Sequence, residues 1–197
     1  MTEPSDRPNI LLIMSDEHDP AVSGCYGNAL VDTPNMDRLA AEGVRFDRCY
    51  TTSPLCVPAR LSFTAGKYIS RCGAWSNNCW LPSADYPSIA RVLQAAGYET
   101  YLCGKQHYDA SRRYGFTDIL PEGVSNRAHK RGRGGRRDAA DETPQMKSWV
   151  DRSADFYAGD ESSVLDRDRA VTRRTCEFLG QWPADRPPFF LFVGHVA

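Results

Sequence analysis

The sequence predicts an α/β fold in which a mainly parallel sheet is flanked by helices. Short apolar runs lie near residues 10–15, 44–50, 98–103 and 189–194 and alternate with helical patterns, which is typical of βαβ units. The chain has 197 residues, of which 41% are hydrophobic. It can therefore bury one α/β core of ordinary size.

The first apolar run, from Ile10 to Met14, is too short to span a membrane and suits a central strand that is buried on both faces. Asp16 and Glu17 follow at its carboxyl end, which is where open α/β sheets bind their ligands. Their carboxylates are typical ligands of a hard divalent cation. The alternative is an Asp side chain that caps the next turn.

Turn residues delimit two helices. Thr33 as the N-cap and Gly43 after the end frame the first helix, with Leu39 facing inward. Pro87 and Gly97 frame the second. A third helical pattern covers residues 164–180, and the apolar run at 189–194 is predicted to be a buried strand.

The pentapeptide Cys56-Val57-Pro58-Ala59-Arg60 predicts a helix that begins near Cys56 and runs to Gly66, because proline is tolerated only in the first turn. Cys56 would then lie at the helix N-terminus, where unpaired N–H groups favour an anion. Arg60 projects from the same face one turn later. The alternative is a buried cysteine beside a surface arginine.

A second charged segment, Gly104-Lys105-Gln106-His107, directly follows the predicted strand at 98–103. If the strand remains extended, Lys105 and His107 point to the same face. A fixed cation and a proton donor suit the binding of an oxyanion and the protonation of its leaving group. A solvated Lys and a hydrogen-bonded His are the alternatives.

Together these segments resemble the formylglycine-dependent sulfatases of the alkaline phosphatase superfamily, whose signature is the Cys-x-Pro-x-Arg core. The first strand with its acids, the stretches 24–27 and 33–40, and the Gly-Lys-x-His element extend the resemblance. Residues 73–78 resemble a stretch of choline-sulfatase-like members. Ala59 and Lys67 depart from the residues that are common in the family, in a way that this subfamily shares.

The resemblance implies that a formylglycine-generating enzyme oxidises Cys56 and that the product attacks a small-molecule sulfate ester. Ca²⁺ is the expected metal, with Mg²⁺ and Mn²⁺ as alternatives. A phosphonate monoester or phosphodiester hydrolase of the same superfamily is the alternative function. Asn77 is either a substrate contact or part of a turn built on an Asn pair. The implied site has catalytic residues Cys56, Arg60, Lys105 and His107, the substrate contact Asn77, and the metal ligands Asp16 and Glu17.

Family members run to several hundred residues, so residues 1–197 are expected to form the N-terminal part of a catalytic α/β domain. We expect this chain to be inactive alone, with the strand at 189–194 left open at a sheet edge. A full-length form could be a homo-oligomer.

The composition limits the partners and the location. A net charge of −1 predicts no general attraction to nucleic acid or acidic membranes. The first residues lack a signal-peptide pattern, which predicts a cytoplasmic protein with no membrane association. Seven cysteines without a Cys-x-x-Cys pair disfavour a disulfide framework and a structural zinc site. Residues 122–147 are predicted to be a flexible loop insertion, and a non-catalytic module that binds nucleic acid through basic residues 127–137 is the alternative.

Overall fold

The computed structural model describes residues 7–16, 18–109, 111–120 and 163–196. Four strands form one sheet in which every pairing is parallel, so the predicted α/β class is confirmed. The strand order is β1-β4-β2-β3. The strands are β1 (Ile10–Met14), β2 (Glu99–Gly104), β3 (Thr117–Asp118) and β4 (Phe189–Gly194).

Strand β4 lies inside the sheet, between β1 and β2. Its Leu191 stands opposite Leu11 of β1 and Tyr101 of β2, and all six of its residues are buried. The expectation of an open edge at residues 189–194 is therefore wrong. Parallel strands pair through long crossovers, so position in the sequence did not indicate position in the sheet.

Strand β1 forms an edge of the sheet among the described strands. Leu11 is 43% exposed and Ile13 is 58% exposed, whereas Ile10, Leu12 and Met14 pack partly buried against the core. The prediction of a central strand buried on both faces is therefore wrong. A continuous apolar run does not distinguish a central strand from an edge strand with one open face.

The helices largely follow the predicted boundaries, and the structure has two short 3₁₀ helices, Pro20–Val22 and Gly24–Tyr26. The predicted inward orientation of Leu39 is wrong, since this side chain is 63% exposed. Residues 44–50 were expected to form a strand, but they are irregular and exposed. The helices are α1 (Pro34–Glu42), α2 (Cys56–Ala65), α3 (Ile69–Cys72), α4 (Ile89–Ala95) and α5 (Ser163–Gln181).

Two helices pack on opposite faces of the sheet. Phe190 and Phe192 of β4 join the core cluster that contains Leu61 of α2, whereas Leu191 joins the cluster that contains Val171 of α5. This division follows from the alternation of side chains along a strand. The sheet is therefore the middle layer of three, and α2 lies on one face of it.

The glycine that ends β2 allows a close approach between strands. Gly104 has a φ of +90°, and a Cβ at this position would overlap the carbonyl oxygen of Gly194 in β4. The Lys105 N–H donates to that same oxygen at 2.8 Å. This glycine thus lets the chain turn at the carboxyl edge of the sheet.

The predicted loop insertion at 122–147, with its basic run, lies outside the described residues. Within the described ranges, every helix is too short or too polar to cross a membrane.

Candidate active site

Asp16 is the point on which the candidate site converges. It lies just beyond β1, and its side chain is 8% exposed. Oδ1 accepts a hydrogen bond from Arg60 Nη2 at 3.0 Å, and Oδ2 accepts from Cys56 Sγ at 3.3 Å and from Lys105 Nζ. Three side chains that the sequence analysis selected thus meet on one buried carboxylate.

Local sequence brings Cys56 to this position. The residue before it, Leu55, is extended and serves as the N-cap of α2 without a side-chain hydrogen bond. Pro58 occupies the first turn, where its missing N–H costs nothing. Gly66 ends the helix in the left-handed region, with a φ of 61°. Cys56 is therefore the first residue of α2, and the predicted boundaries of this helix are confirmed.

Arg60 links α2 to the segment that follows β2. Its side chain is almost fully buried, and Nη1 donates to the carbonyl oxygen of Lys105 at 2.7 Å and to Oε1 of Gln106 at 3.4 Å. Its remaining donor, Nε, and Nε2 of Gln106 are buried and have no hydrogen-bond acceptor among the described residues. Such donors are costly unless an oxygen atom of a water or a ligand satisfies them.

The charges in this corner do not balance. Two cations, Arg60 and Lys105, contact one carboxylate, that of Asp16. These three side chains leave an excess of one positive charge in a largely buried setting. Positive charge of this kind, close to a helix N-terminus, favours the binding of an anion.

The backbone beyond β2 differs from the predicted geometry. The strand ends at Gly104, and His107 has a φ of 54° in the left-handed region. Lys105 and His107 were expected to share a face because the strand would remain extended, and that premise is wrong. Lys105 contacts Asp16, and His107 is half-buried two residues further along. The catalytic role of His107 stays a prediction.

Asn77 lies in a turn, and it also contacts the helix that carries Cys56. The Cys79 N–H donates to the carbonyl oxygen of Ser76 at 3.2 Å, which closes the turn. Oδ1 of Asn77 accepts a hydrogen bond from the Val57 N–H at 3.1 Å. The turn interpretation and a position beside Cys56 are therefore compatible.

Electrostatics set the protonation states of the two central groups. Burial alone would raise the pKa of Asp16, but hydrogen bonds from Lys105, Arg60 and Cys56 outweigh it and lower that pKa. Burial, followed by the hydrogen bond to Asp16 and its charge, raises the pKa of Cys56. Cys56 is therefore a protonated thiol at neutral pH, which disfavours a thiolate nucleophile.

The donor chemistry of Asp16 suits a hard cation such as Ca²⁺. Asp16 stays a predicted ligand, and the described part of the chain contains no group of three or more His, Cys, Asp or Glu side chains that could hold a metal. Glu17, the second predicted ligand, lies outside the described residues. Of the two predicted metal ligands, the described residues thus include Asp16 alone.

The sequence analysis did not select three buried residues whose hydrogen bonds support the candidate site. Gln106 accepts from Arg60, and Thr64 of α2 makes a hydrogen bond with Tyr108. All three side chains are buried. Gln106 stands between two residues that were selected, and a polar residue at a strand end is the signal that could have identified it.

Comparison with known proteins gives a consistent result. A model of the sulfatase family matches residues 8–196. The chain is 40% identical over 116 residues to the uncharacterized sulfatase YidJ of Escherichia coli (strain K12). The aligned region covers 59% of this chain and 23% of that protein. It is 41% identical over 105 residues to an N-acetylglucosamine-6-O-sulfatase of Bacteroides thetaiotaomicron. This aligned region covers 53% of this chain and 19% of that protein.

Solved structures resemble this fold over almost the whole chain. BT4656, solved in complex with its substrate D-glucosamine-2-N,6-O-disulfate, matches with a TM-score of 0.67 and 27% identity, covering 96% of this chain and 34% of that one. The phosphonate monoester hydrolase of Agrobacterium radiobacter matches with a TM-score of 0.64 and 23% identity, covering 96% of this chain and 41% of that one, and this likeness concerns the fold alone. The chain thus spans less than a quarter of the length of the two curated relatives.

Proposed function

The chain belongs to the sulfatase family of the alkaline phosphatase superfamily, and from that premise we propose that it carries the nucleophile and anion-binding corner of a sulfate ester hydrolase. The observation that carries this proposal is the contact of Cys56, Arg60 and Lys105 with the single carboxylate of Asp16. These contacts put the Cys56 thiol beside an excess of positive charge, which supports the proposal.

In the proposed reaction, a formylglycine-generating enzyme first uses molecular oxygen and a reducing thiol to oxidise the thiol-bearing carbon of Cys56 to an aldehyde. The carbon–sulfur bond breaks in this step, the sulfur leaves as sulfide, and water then hydrates the aldehyde. One hydroxyl oxygen of the hydrate attacks sulfur while the bond from sulfur to the alcohol oxygen breaks. The second hydroxyl of the hydrate then loses its proton. Its oxygen reforms the aldehyde while the bond between the same carbon and the sulfate oxygen breaks, and sulfate leaves. Each turnover consumes one water and releases an alcohol and a sulfate. The raised pKa of the Cys56 thiol supports this order, since an unmodified thiol would be a poor nucleophile at neutral pH.

The other site residues would bind charge and move one proton. Arg60 and Lys105 would hold the negative oxygens of the sulfate group, an electrostatic role that is commonly the largest contribution to catalysis. His107 would donate a proton to the leaving alcohol oxygen. Asn77 would contact a substrate oxygen through its amide.

A divalent cation is part of this proposal, with Asp16 as one of its ligands and Ca²⁺ as the expected ion. When bound, it would supply positive charge next to the sulfate group. Because Ca²⁺ takes about six to eight oxygen ligands, we expect this chain to bind it weakly. Calorimetry tests this, and tight stoichiometric binding that survives Asp16→Ala would show that the assigned ligand is wrong.

We favour a sulfated sugar as the substrate class. The likeness to an N-acetylglucosamine-6-O-sulfatase and to a protein solved with a sulfated glucosamine supports this choice. Choline sulfate is the competing substrate, supported by the resemblance of residues 73–78. A phosphonate monoester or phosphodiester remains the alternative, and it rests on a likeness of fold.

The first experiment tests the modification. Co-expression with a formylglycine-generating enzyme should lower the mass of the peptide that contains Cys56 by the difference between a thiol and an aldehyde. Cys79→Ser, which changes another partly exposed free cysteine, should leave the conversion intact, and Cys56→Ser should abolish it. A thiol that persists at Cys56 under these conditions would contradict the proposal.

The second experiment tests the reaction on the complete gene product. Turnover of N-acetylglucosamine 6-sulfate, choline sulfate and matched phosphate esters should rank the sulfated sugar first. We propose that the 197-residue chain alone gives no measurable turnover even after conversion, since its described residues contain no group of three or more side chains that could hold a metal. Faster hydrolysis of the phosphate esters would favour the alternative function.

A further inference from the structure

The first turn of α2 has an unusual distribution of backbone donors. Helices begin with N–H groups that have no partner within the helix. Here Pro58 removes one of them, and the Ala59 N–H donates to the carbonyl oxygen of Leu55 at 3.0 Å. Leu55 is the N-cap and has no side chain that could accept a hydrogen bond. The N–H groups of Cys56 and Val57 therefore depend on partners from elsewhere.

Asn77 supplies one of these partners from a distant point in the sequence. Its Oδ1 accepts the Val57 N–H at 3.1 Å, although the two residues are 20 positions apart. The turn that carries Asn77 is held by the hydrogen bond from Cys79 N–H to Ser76 oxygen. An oxygen that accepts from the second residue of a helix performs the task of an N-cap side chain. Asn77 thus caps α2 from outside the helix.

This contact has two consequences at Cys56. It fixes the backbone N–H of Val57, the residue next to Cys56, at the start of α2. It also engages Oδ1 of Asn77, which leaves the Nδ2 amide group to donate elsewhere. Both effects require the acceptor oxygen at position 77.

We propose that Asn77 is a positioning residue that acts through the Val57 N–H to hold the first turn of α2, so that the Cys56 side chain faces Asp16. Its importance for the reaction rests on the proposed function. The contact with Val57 does not depend on that function, so the two can fail separately.

The experiment compares Asn77→Asp, which keeps an acceptor oxygen, with Asn77→Ala, which removes it. Asn78→Ala is the matched control, since Asn78 belongs to the same turn and is bonded through its backbone N–H to Ser76 Oγ at 3.3 Å. Amide exchange of Val57 and the Cβ chemical shift of Cys56 are measured by NMR on the full chain. Amides of β4 report global stability in the same spectra, so general loosening is separated from a local change.

In Asn77→Ala we expect Val57 to exchange about tenfold faster relative to β4, which is the scale of a lost helix cap, and the Cys56 signal to shift. Asn77→Asp should restore both readouts, and Asn78→Ala should change neither. Unchanged Val57 exchange in Asn77→Ala, or an Asp variant that behaves like the Ala variant, would overturn the proposal. Where turnover is measurable, Asn77→Ala should lower kcat more than it raises KM. Absence of turnover in the wild-type complete gene product would contradict the proposed function and leave the exchange result intact.

Discussion

At the scale of single residues, Asp16 is the group on which the buried charges depend. It is nearly inaccessible and is paired with Arg60 and Lys105. Removing one partner from a buried charge cluster is costly, because the charges that remain have lost both water and counterion. We therefore expect Asp16→Asn to lower the free energy of unfolding at pH 7 by about 3 kcal/mol or more. Asp47→Asn, at a 71% exposed side chain paired with Arg45, should change it by about 0.5 kcal/mol or less.

The same residue predicts a dependence of stability on pH. The pKa of Asp16 is lowered in the folded protein, so the unfolded chain binds the proton more tightly. The stabilisation is fully present above the unfolded value of about 4 and is lost as the pH falls through the folded pKa. Urea unfolding at several pH values between 3 and 7 should show this loss in the wild type and a smaller one in Asp16→Asn. Equal slopes in the two proteins would contradict the assignment.

Gly104 illustrates a second constraint at a single residue. Its positive φ disfavours any side chain, and a Cβ would overlap the Gly194 carbonyl oxygen. Gly104→Ala should therefore destabilise the protein by about 2 kcal/mol or more. The control is Gly180→Ala in α5, where a Cβ would have no neighbour within 4 Å and should stabilise the helix by up to about 1 kcal/mol. Thermal unfolding of both variants decides the point, and a stable Gly104→Ala variant would show that the β2–β4 approach is looser than described.

At the scale of elements, helix α2 and the segment after β2 are joined by a directed chain of hydrogen bonds. The Thr64 hydroxyl donates its proton to the Arg60 carbonyl oxygen at 2.7 Å. The hydrogen bond between Thr64 and Tyr108 must then be donated by Tyr108. Burial raises the pKa of Tyr108 to about 12, so its hydroxyl keeps the proton. These hydrogen bonds therefore connect α2 to the segment after β2 next to the candidate site.

This direction predicts unequal effects of two conservative substitutions. Tyr108→Phe removes one hydrogen bond and should cost about 1 kcal/mol. Thr64→Val leaves the buried Tyr108 hydroxyl without an acceptor and should cost more, about 1–3 kcal/mol beyond the lost bond. The double variant should be close in stability to Tyr108→Phe, as measured by urea unfolding. Additive effects in the double variant would contradict the donor assignment.

Local signals in the sequence predicted the elements whose ends they determine. Pro58 indicates the first turn of α2 and Gly66 its end, and the observed range of the helix agrees with the prediction. Strand order is decided by crossovers and tertiary packing, so the interior place of β4 and the edge place of β1 could not be read from apolar runs. Residues 44–50 have a strand-like composition, but they do not pair with any strand of the described sheet.

The candidate site was predictable where residues come from strand ends and a helix start. The family resemblance implied that Asp16, Cys56 and Lys105 belong to one site, and the structure brings them together. The relation between Lys105 and His107 was not predictable, because the positive φ values of Gly104 and His107 turn the backbone beyond β2. The contact of Asn77 with Val57 depends on an uncharged amide oxygen and a backbone N–H. No charge pattern in the sequence therefore predicts it.

At the scale of the whole molecule, the apolar surface is unevenly distributed. The sheet core is closed around β4, but β1 presents Leu11 and Ile13 on an open face. Further exposed apolar side chains lie in and around α1: Leu30, Val31, Met36, Leu39, Val44, Phe46 and Tyr50. Exposed apolar side chains that are this numerous in one stretch of the sequence favour an interface or self-association.

We therefore expect the 197-residue chain to self-associate in solution through the surface that surrounds α1. Leu39→Glu combined with Phe46→Lys should reduce association, because both side chains are exposed, Phe46 to 67%. The free energy of unfolding should change little, since neither residue is part of the buried core. Sedimentation velocity measures the association, and Arg38→Ala, at an exposed polar position of α1, is the control that should leave it unaltered. A wild-type chain that sediments as a monomer at micromolar concentrations would show that this apolar surface does not drive association.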